Sequence, residues 1–117
     1  MRKKTYIFDL DGTIIEHQPP AHRGEPMRPL PNSIETLKSI RNEGHSMILL
    51  TARPLECYSE TTSGLAKLGI LDYFDDVIYN VGSGERVLVN DLKPESDLPT
   101  ARSINLIRNQ GFGYGDL

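Results

Sequence analysis

With one cysteine, Cys57, the chain cannot form an internal disulfide, which argues against a stapled secreted scaffold and suits a reducing compartment. Positive charge is not in excess either. Thirteen Lys and Arg against sixteen Asp and Glu leave a net charge of −3, so there is no broad basic surface to neutralise a nucleic-acid backbone, and nucleic acid is not an expected partner. Long apolar runs are missing: the longest is Met47-Ile48-Leu49-Leu50, far below the roughly 20 residues a membrane helix needs. Arg2-Lys3-Lys4 imitates the start of an export signal, but Asp9 and Asp11 interrupt the apolar stretch behind it. A cytoplasmic protein without a membrane partner is expected. No internal repeat is visible, and 117 residues read as one domain, 1–117, with no room for a separate substrate domain.

What is present is the composition of a globular chain, with 38% hydrophobic and 25% charged residues, arranged in short apolar runs between turn signals. Thr5-Tyr6-Ile7-Phe8 reads as a buried strand running into Asp9-Leu10-Asp11-Gly12-Thr13. From Ile14 to Pro31 five prolines and no periodicity predict a long irregular segment, of the kind that is usually functional or disordered. Asn32 with Glu35 three residues on predicts a helix start, with Ile34, Leu37 and Ile40 on one face and Gly44 as the stop. Met47 to Leu50 predicts a strand covered on both faces. A second helix is expected over Leu55 to Leu68, a third strand at Val77-Ile78-Tyr79 and a fourth at Val87-Leu88-Val89. A last helix is expected from about Pro99 to Asn109. That order predicts an α/β domain with a mainly parallel sheet and helices on both faces.

In such sheets ligands gather at the carboxyl ends of the strands. Three of those ends carry polar groups: Asp9 and Asp11, Thr51 and Arg53, Asn90 and Asp91. Two carboxylates two residues apart, followed by Gly-Thr, can point toward a common site, and the turn can expose N–H groups to an anion. With Asp91 alongside they would offer hard oxygen ligands to Mg²⁺. Phosphate-ester chemistry suits that set, since the cation offsets repulsion between a carboxylate nucleophile and the phosphate.

Asp9-Leu10-Asp11-Gly12-Thr13 resembles the first motif of the haloacid dehalogenase (HAD) superfamily, most of whose members are Mg²⁺-dependent phosphatases. Thr51 after Ile48-Leu49-Leu50 resembles the second motif, and Asn90-Asp91 after Val87-Leu88-Val89 the acidic fourth. The resemblance implies a HAD-like Rossmannoid three-layer α/β/α domain and an Mg²⁺-dependent phosphomonoesterase. Asp9 would be the nucleophile that forms an aspartyl-phosphate. Asp11 would be the general acid and then base, and Thr51 a hydrogen-bond donor to the phosphoryl group. The metal would lie on one oxygen of Asp9, the main-chain carbonyl of Asp11 and Asp91, directly or through water, with Asn90 alongside, and the substrate against Leu10, Gly12, Thr13, Ala52 and Arg53. For the basic residue of the third motif, Lys93 ranks slightly above Arg86, with Lys67 and Arg53 behind.

No cap domain has room here, which is compatible with a bulky substrate or with a homo-oligomer whose neighbouring subunit is the lid. The expected substrate is a small phosphate ester, such as a sugar phosphate. A module that binds Mg²⁺ and phosphate without turnover is the alternative, and a dehalogenase is disfavoured by Asp11. His17, His22, Arg23 and Arg28 stand either at the site entrance or in solvated loop, while His45 and Cys57 read as structural.

Overall fold

The computed structural model describes residues 3–95 and 97–117. Its regular elements are β1 (Thr5–Asp9), α1 (Ser33–Asn42), β2 (Ser46–Leu50), α2 (Tyr58–Lys67) and β3 (Asp76–Ile78). The three strands form one parallel sheet in the order β1-β2-β3. Parallel neighbours need crossovers, and α1 and α2 supply them. This is an α/β fold.

Side chains alternate across the strands. Phe8, Met47 and Leu49 point to the buried face, where they share one core with Leu37 and Ile40 of α1, Leu65 of α2 and Phe112 from near the end of the chain. On the other face the register pairs Ile7 with Ile48 and Leu50 with Ile78. That face carries no helix among the described residues: Ile7 is 51% and Ile78 40% exposed. The expected second helical layer is therefore not formed, and the arrangement has two layers.

The reason lies in residues 79–113. Neither the fourth strand expected at 87–89 nor the helix expected over 99–109 forms. Val87, Leu88 and Val89 are 75%, 67% and 88% exposed, and Ile107 is also exposed. An eleven-residue helix with no buried apolar face is marginal in water, and three residues between Gly82-Ser83-Gly84 and Pro94 gain few ladder bonds. The outer edge of β1 is left unpaired among the described residues.

Local details follow the sequence more closely. Gly44, at φ 83°, ends α1 as expected. Asn32 does not cap with its side chain; it sits at φ 63°, and Ser33 Oγ donates to the carbonyls of Ile14 and Leu30 at 2.8 and 2.9 Å instead. Those bonds tie the start of α1 to the ends of the 14–31 loop. Gly64, a weak helix former, lies in α2 against Met27: a Cβ there would stand 2.7 Å from Met27 Cε, so the end of that side chain would have to shift, and Met27 is the buried residue by which the loop packs on the helix. His45 is structural, since its Nδ1 accepts the Lys4 N–H at 2.9 Å and its ring meets Tyr6 edge-on.

Candidate active site

Parallel register brings the first two strand ends to one edge of the sheet. Asp9 pairs with Leu50, so Thr51 stands one residue beyond the level of Asp9. The chain turns sharply after Asp9 through Gly12, whose φ of 84° a side chain would oppose. Thr13 Oγ1 donates to Asp9 Oδ2 at 3.3 Å.

The turn does not present its amides outward as expected. Gly12 N–H donates to the Ile15 carbonyl at 2.8 Å and Thr13 N–H to that of Leu10 at 3.2 Å, and the Leu10 side chain is fully buried in the core. The Gly12 and Thr13 amides expected to bind an anion are thus used within the turn, and the Thr13 hydroxyl proton goes to Asp9. Ala52 is exposed at the end of β2. Thr51 is buried and its Oγ1 accepts the Arg53 N–H at 3.1 Å, which leaves the hydroxyl proton free to donate.

Arg53 is placed differently from its expected role as a substrate contact. Its side chain is 0% exposed and grips Asp11 with both arms of a fork, Nε to Oδ2 at 2.8 Å and Nη2 to Oδ1 at 2.9 Å. Nη2 also donates to Gln18 Oε1 at 2.9 Å and Nη1 to Thr61 Oγ1 at 3.0 Å. Gln18 closes the network by donating its N–H to Asp11 Oδ1 at 3.1 Å. Four segments meet here: the end of β1, the end of β2, the proline-rich loop and α2. A buried guanidinium survives only when so fully partnered. Gln18 and Thr61 were not expected from the sequence, because polar residues in a loop and on a helix face give no periodic signal.

The two carboxyl groups are shifted in opposite directions. Burial pushes the Asp9 carboxyl above the ordinary aspartate value, against the Thr13 hydrogen bond and the charge of Arg86. Burial acts on Asp11 too, yet the Arg53 hydrogen bonds and charge outweigh it and hold that carboxyl below the usual value. The arginine thus favours the ionised form of Asp11, the form that takes up a proton.

The candidates for the third-motif cation separate clearly. Lys93 Nζ lies 2.6 Å from Asp91 Oδ1, so each takes up the other's charge. Arg86, ranked below it, is the cation whose charge reaches Asp9, and its hydrogen bond is a 3.3 Å contact to the Gly84 carbonyl. Asn90 donates to Thr100 Oγ1 at 2.8 Å. The fourth strand expected to carry Asn90 and Asp91 to this edge of the sheet is not formed. Among the described residues no group of three or more His, Cys, Asp or Glu could hold a metal ion.

The sequence also gave no sign of Arg108 and Asn109. Asn109 N–H donates to the Gly12 carbonyl at 2.9 Å, and Asn109 Oδ1 accepts the His17 N–H at 2.9 Å. Arg108 lies across Gly12. Beside the turn, a cleft of about 350 Å³ is lined by Glu16, His17, His22, Glu25 and Arg28, among others. His17 and Arg28, left open between entrance and solvated loop, stand on its wall, while Arg23 faces Cys57 Sγ at 4.0 Å.

No described helix is long and apolar enough to cross a membrane. No family model matches the chain, and no curated protein matches it. Among solved structures it is similar to the NMR structure of the core domain of a protein provisionally designated a phosphoglycolate phosphatase, from Streptococcus pneumoniae. The two are 24% identical, the match covers 68% of this chain and 44% of that one, and the TM-score is 0.43. A likeness of that extent assigns neither family nor activity to this chain.

Proposed function

We propose that the chain is a HAD-like phosphomonoesterase that works on a small phosphate ester through Asp9. The observation that carries this reading is the pairing of Asp9 with Leu50 in a parallel sheet, which sets the Asp9 carboxylate and the Thr51 hydroxyl at the same strand edge. In the first step an Asp9 oxygen attacks phosphorus, the ester P–O bond breaks, and the departing alcohol takes its proton from solvent. Thr51 donates to a phosphoryl oxygen, and Arg86 supplies positive charge to the developing anion. Burial raises the Asp9 carboxyl, so cationic charge nearby also favours its reactive, ionised form. In the second step water hydrolyses the acyl phosphate. Asp11, already ionised against Arg53, is suited to receive the proton of that water.

The Mg²⁺ ligand set implied by the motifs is not assembled by the residues as placed. The Asp11 carboxylate is paired with Arg53 and that of Asp91 with Lys93; the ligand the motif implies from Asp11 is its main-chain carbonyl, and no group of three or more His, Cys, Asp or Glu among the described residues could hold a metal ion, so no step above is routed through a metal. The same two pairings favour a second reading, a phosphate-binding module without turnover.

Phosphate release separates the two. The panel is p-nitrophenyl phosphate, sugar phosphates and nucleotides, with Mg²⁺ and with EDTA, and Asp9→Asn as the blank. Release by the native chain that disappears in Asp9→Asn is the expected result. Binding of inorganic phosphate with no release from any ester would replace the enzyme by the binding module.

A further inference from the structure

We propose that Arg108 is a substrate-binding residue whose guanidinium takes an anionic oxygen of the phosphate ester at the 9–13 turn. This deepens the phosphatase reading and rests on it. A Cβ built on Gly12 would stand 2.9 Å from Arg108 Cγ and 3.5 Å from Nε. The arginine stem therefore lies directly against the turn that follows the nucleophile, in space that only glycine leaves open. Its guanidinium makes no hydrogen bond or ion pair among the described residues, in contrast to Arg53, which is consumed by Asp11.

What makes this more than a surface arginine is the anchorage just after it. Asn109 is latched to the turn through the Gly12 carbonyl and the His17 N–H, both at 2.9 Å. Gly111 follows at φ 77°, where any Cβ would collide with the Pro31 carbonyl oxygen. Phe112 is then buried, with its ring stacked on Phe8 at 5.4 Å between centroids, and its carbonyl accepts Thr36 Oγ1 at 3.3 Å. Four contacts from far along the chain thus fix the backbone next to Arg108 and leave its head group exposed. A guanidinium on a fixed stretch of backbone, with its donors free, offers a fork to two oxygens of an anion.

The oxygen belongs either to the transferred phosphoryl group or to a second anionic group on the alcohol, and two substrates tell these apart. p-Nitrophenyl phosphate has no second anion, whereas 3-phosphoglycerate carries a carboxylate. Arg108→Gln should raise KM about tenfold, the loss of one charge-assisted hydrogen bond, with kcat within about threefold and partial rescue in Arg108→Lys. A rise with both substrates places the contact on the phosphoryl group, and a rise with 3-phosphoglycerate alone places it on the second anion. Unchanged KM with both overturns the inference while leaving the phosphatase reading intact. If no ester is turned over, that reading fails, and titrations with inorganic phosphate and with 3-phosphoglycerate decide the inference alone. Affinity for either about tenfold weaker in Arg108→Gln supports it, and equal affinity for both ends it.

Discussion

Replacing Arg53 by methionine should cost the fold about 3–5 kcal/mol, the usual penalty for stranding one partner of a buried ion pair. The structure sets the magnitude near the lower end. Arg53 is fully buried, but Asp11 keeps 13% of its side-chain surface in water, so the orphaned carboxylate is partly solvated. Unfolding entropy of about 2.1 cal/mol/K per residue comes to about 0.25 kcal/mol/K for a chain this long, so a loss of 3 kcal/mol lowers Tm by about 12 °C. Melting by circular dichroism in EDTA measures it.

The pH dependence carries the sharper test. Asp11 is held below its unfolded value, so in the native chain its contribution is present above about pH 4 and is lost as pH falls through the folded pKa. In Arg53→Met burial remains without the arginine, so the folded carboxyl rises above its unfolded value. The variant is then penalised at neutral pH and relieved in acid, and the Tm gap should shrink between pH 7 and pH 4. In Arg53→Met/Asp11→Asn the double change should cost about 2 kcal/mol less than the two single changes added together. A Tm drop under about 3 °C, or a gap that is equal at both pH values, would refute the buried-pair reasoning.

Arg86→Ala should lower kcat/KM on an aryl phosphate at least tenfold while Lys93→Ala changes it less than about twofold, since one charge reaches Asp9 and the other is spent on Asp91; steady-state kinetics with both variants ranks them. Gly111→Ala should destabilise by about 2–4 kcal/mol, because it combines a left-handed φ with a collision at Pro31; urea unfolding gives the value. Threonine at Val87, Leu88 and Val89 together should shift stability by about 1 kcal/mol or less, as expected for exposed positions. A loss above about 3 kcal/mol in that triple variant would show the segment buried, as a fourth strand on the free edge of β1.

The strands and helices that the sequence announced most clearly are those whose apolar residues find a core nearby. Thr5–Asp9 and Ser46–Leu50 were legible within a residue, because a run of apolar and β-branched residues closed by a polar turn has few other places to go. Leu37 and Ile40 marked the buried face of α1 in the same way. The first half of α2 was less legible: Leu55 and Tyr58, expected on its buried face, are exposed, and Thr61 is buried instead because Arg53 needs its hydroxyl. Residues 87–89 and 99–109 carry a strand pattern and a helix pattern, yet pattern alone forms neither without a surface to bury against.

For the candidate site the division is similar. The sequence by itself determined that Asp9 and Thr51 stand at the carboxyl ends of strands, since strand length and turn chemistry are local properties, while the pairing of β1 with β2 brings them together. Only the tertiary structure decided what the other polar residues do: Arg53 pairs with Asp11, Lys93 with Asp91, Arg86 lends its charge to Asp9, and Arg108 and Asn109 settle on Gly12. A charge or an amide has no periodicity that announces its partner. Its place is set by which opposite group the fold brings within a few ångströms, and by the high cost of leaving either one buried and alone.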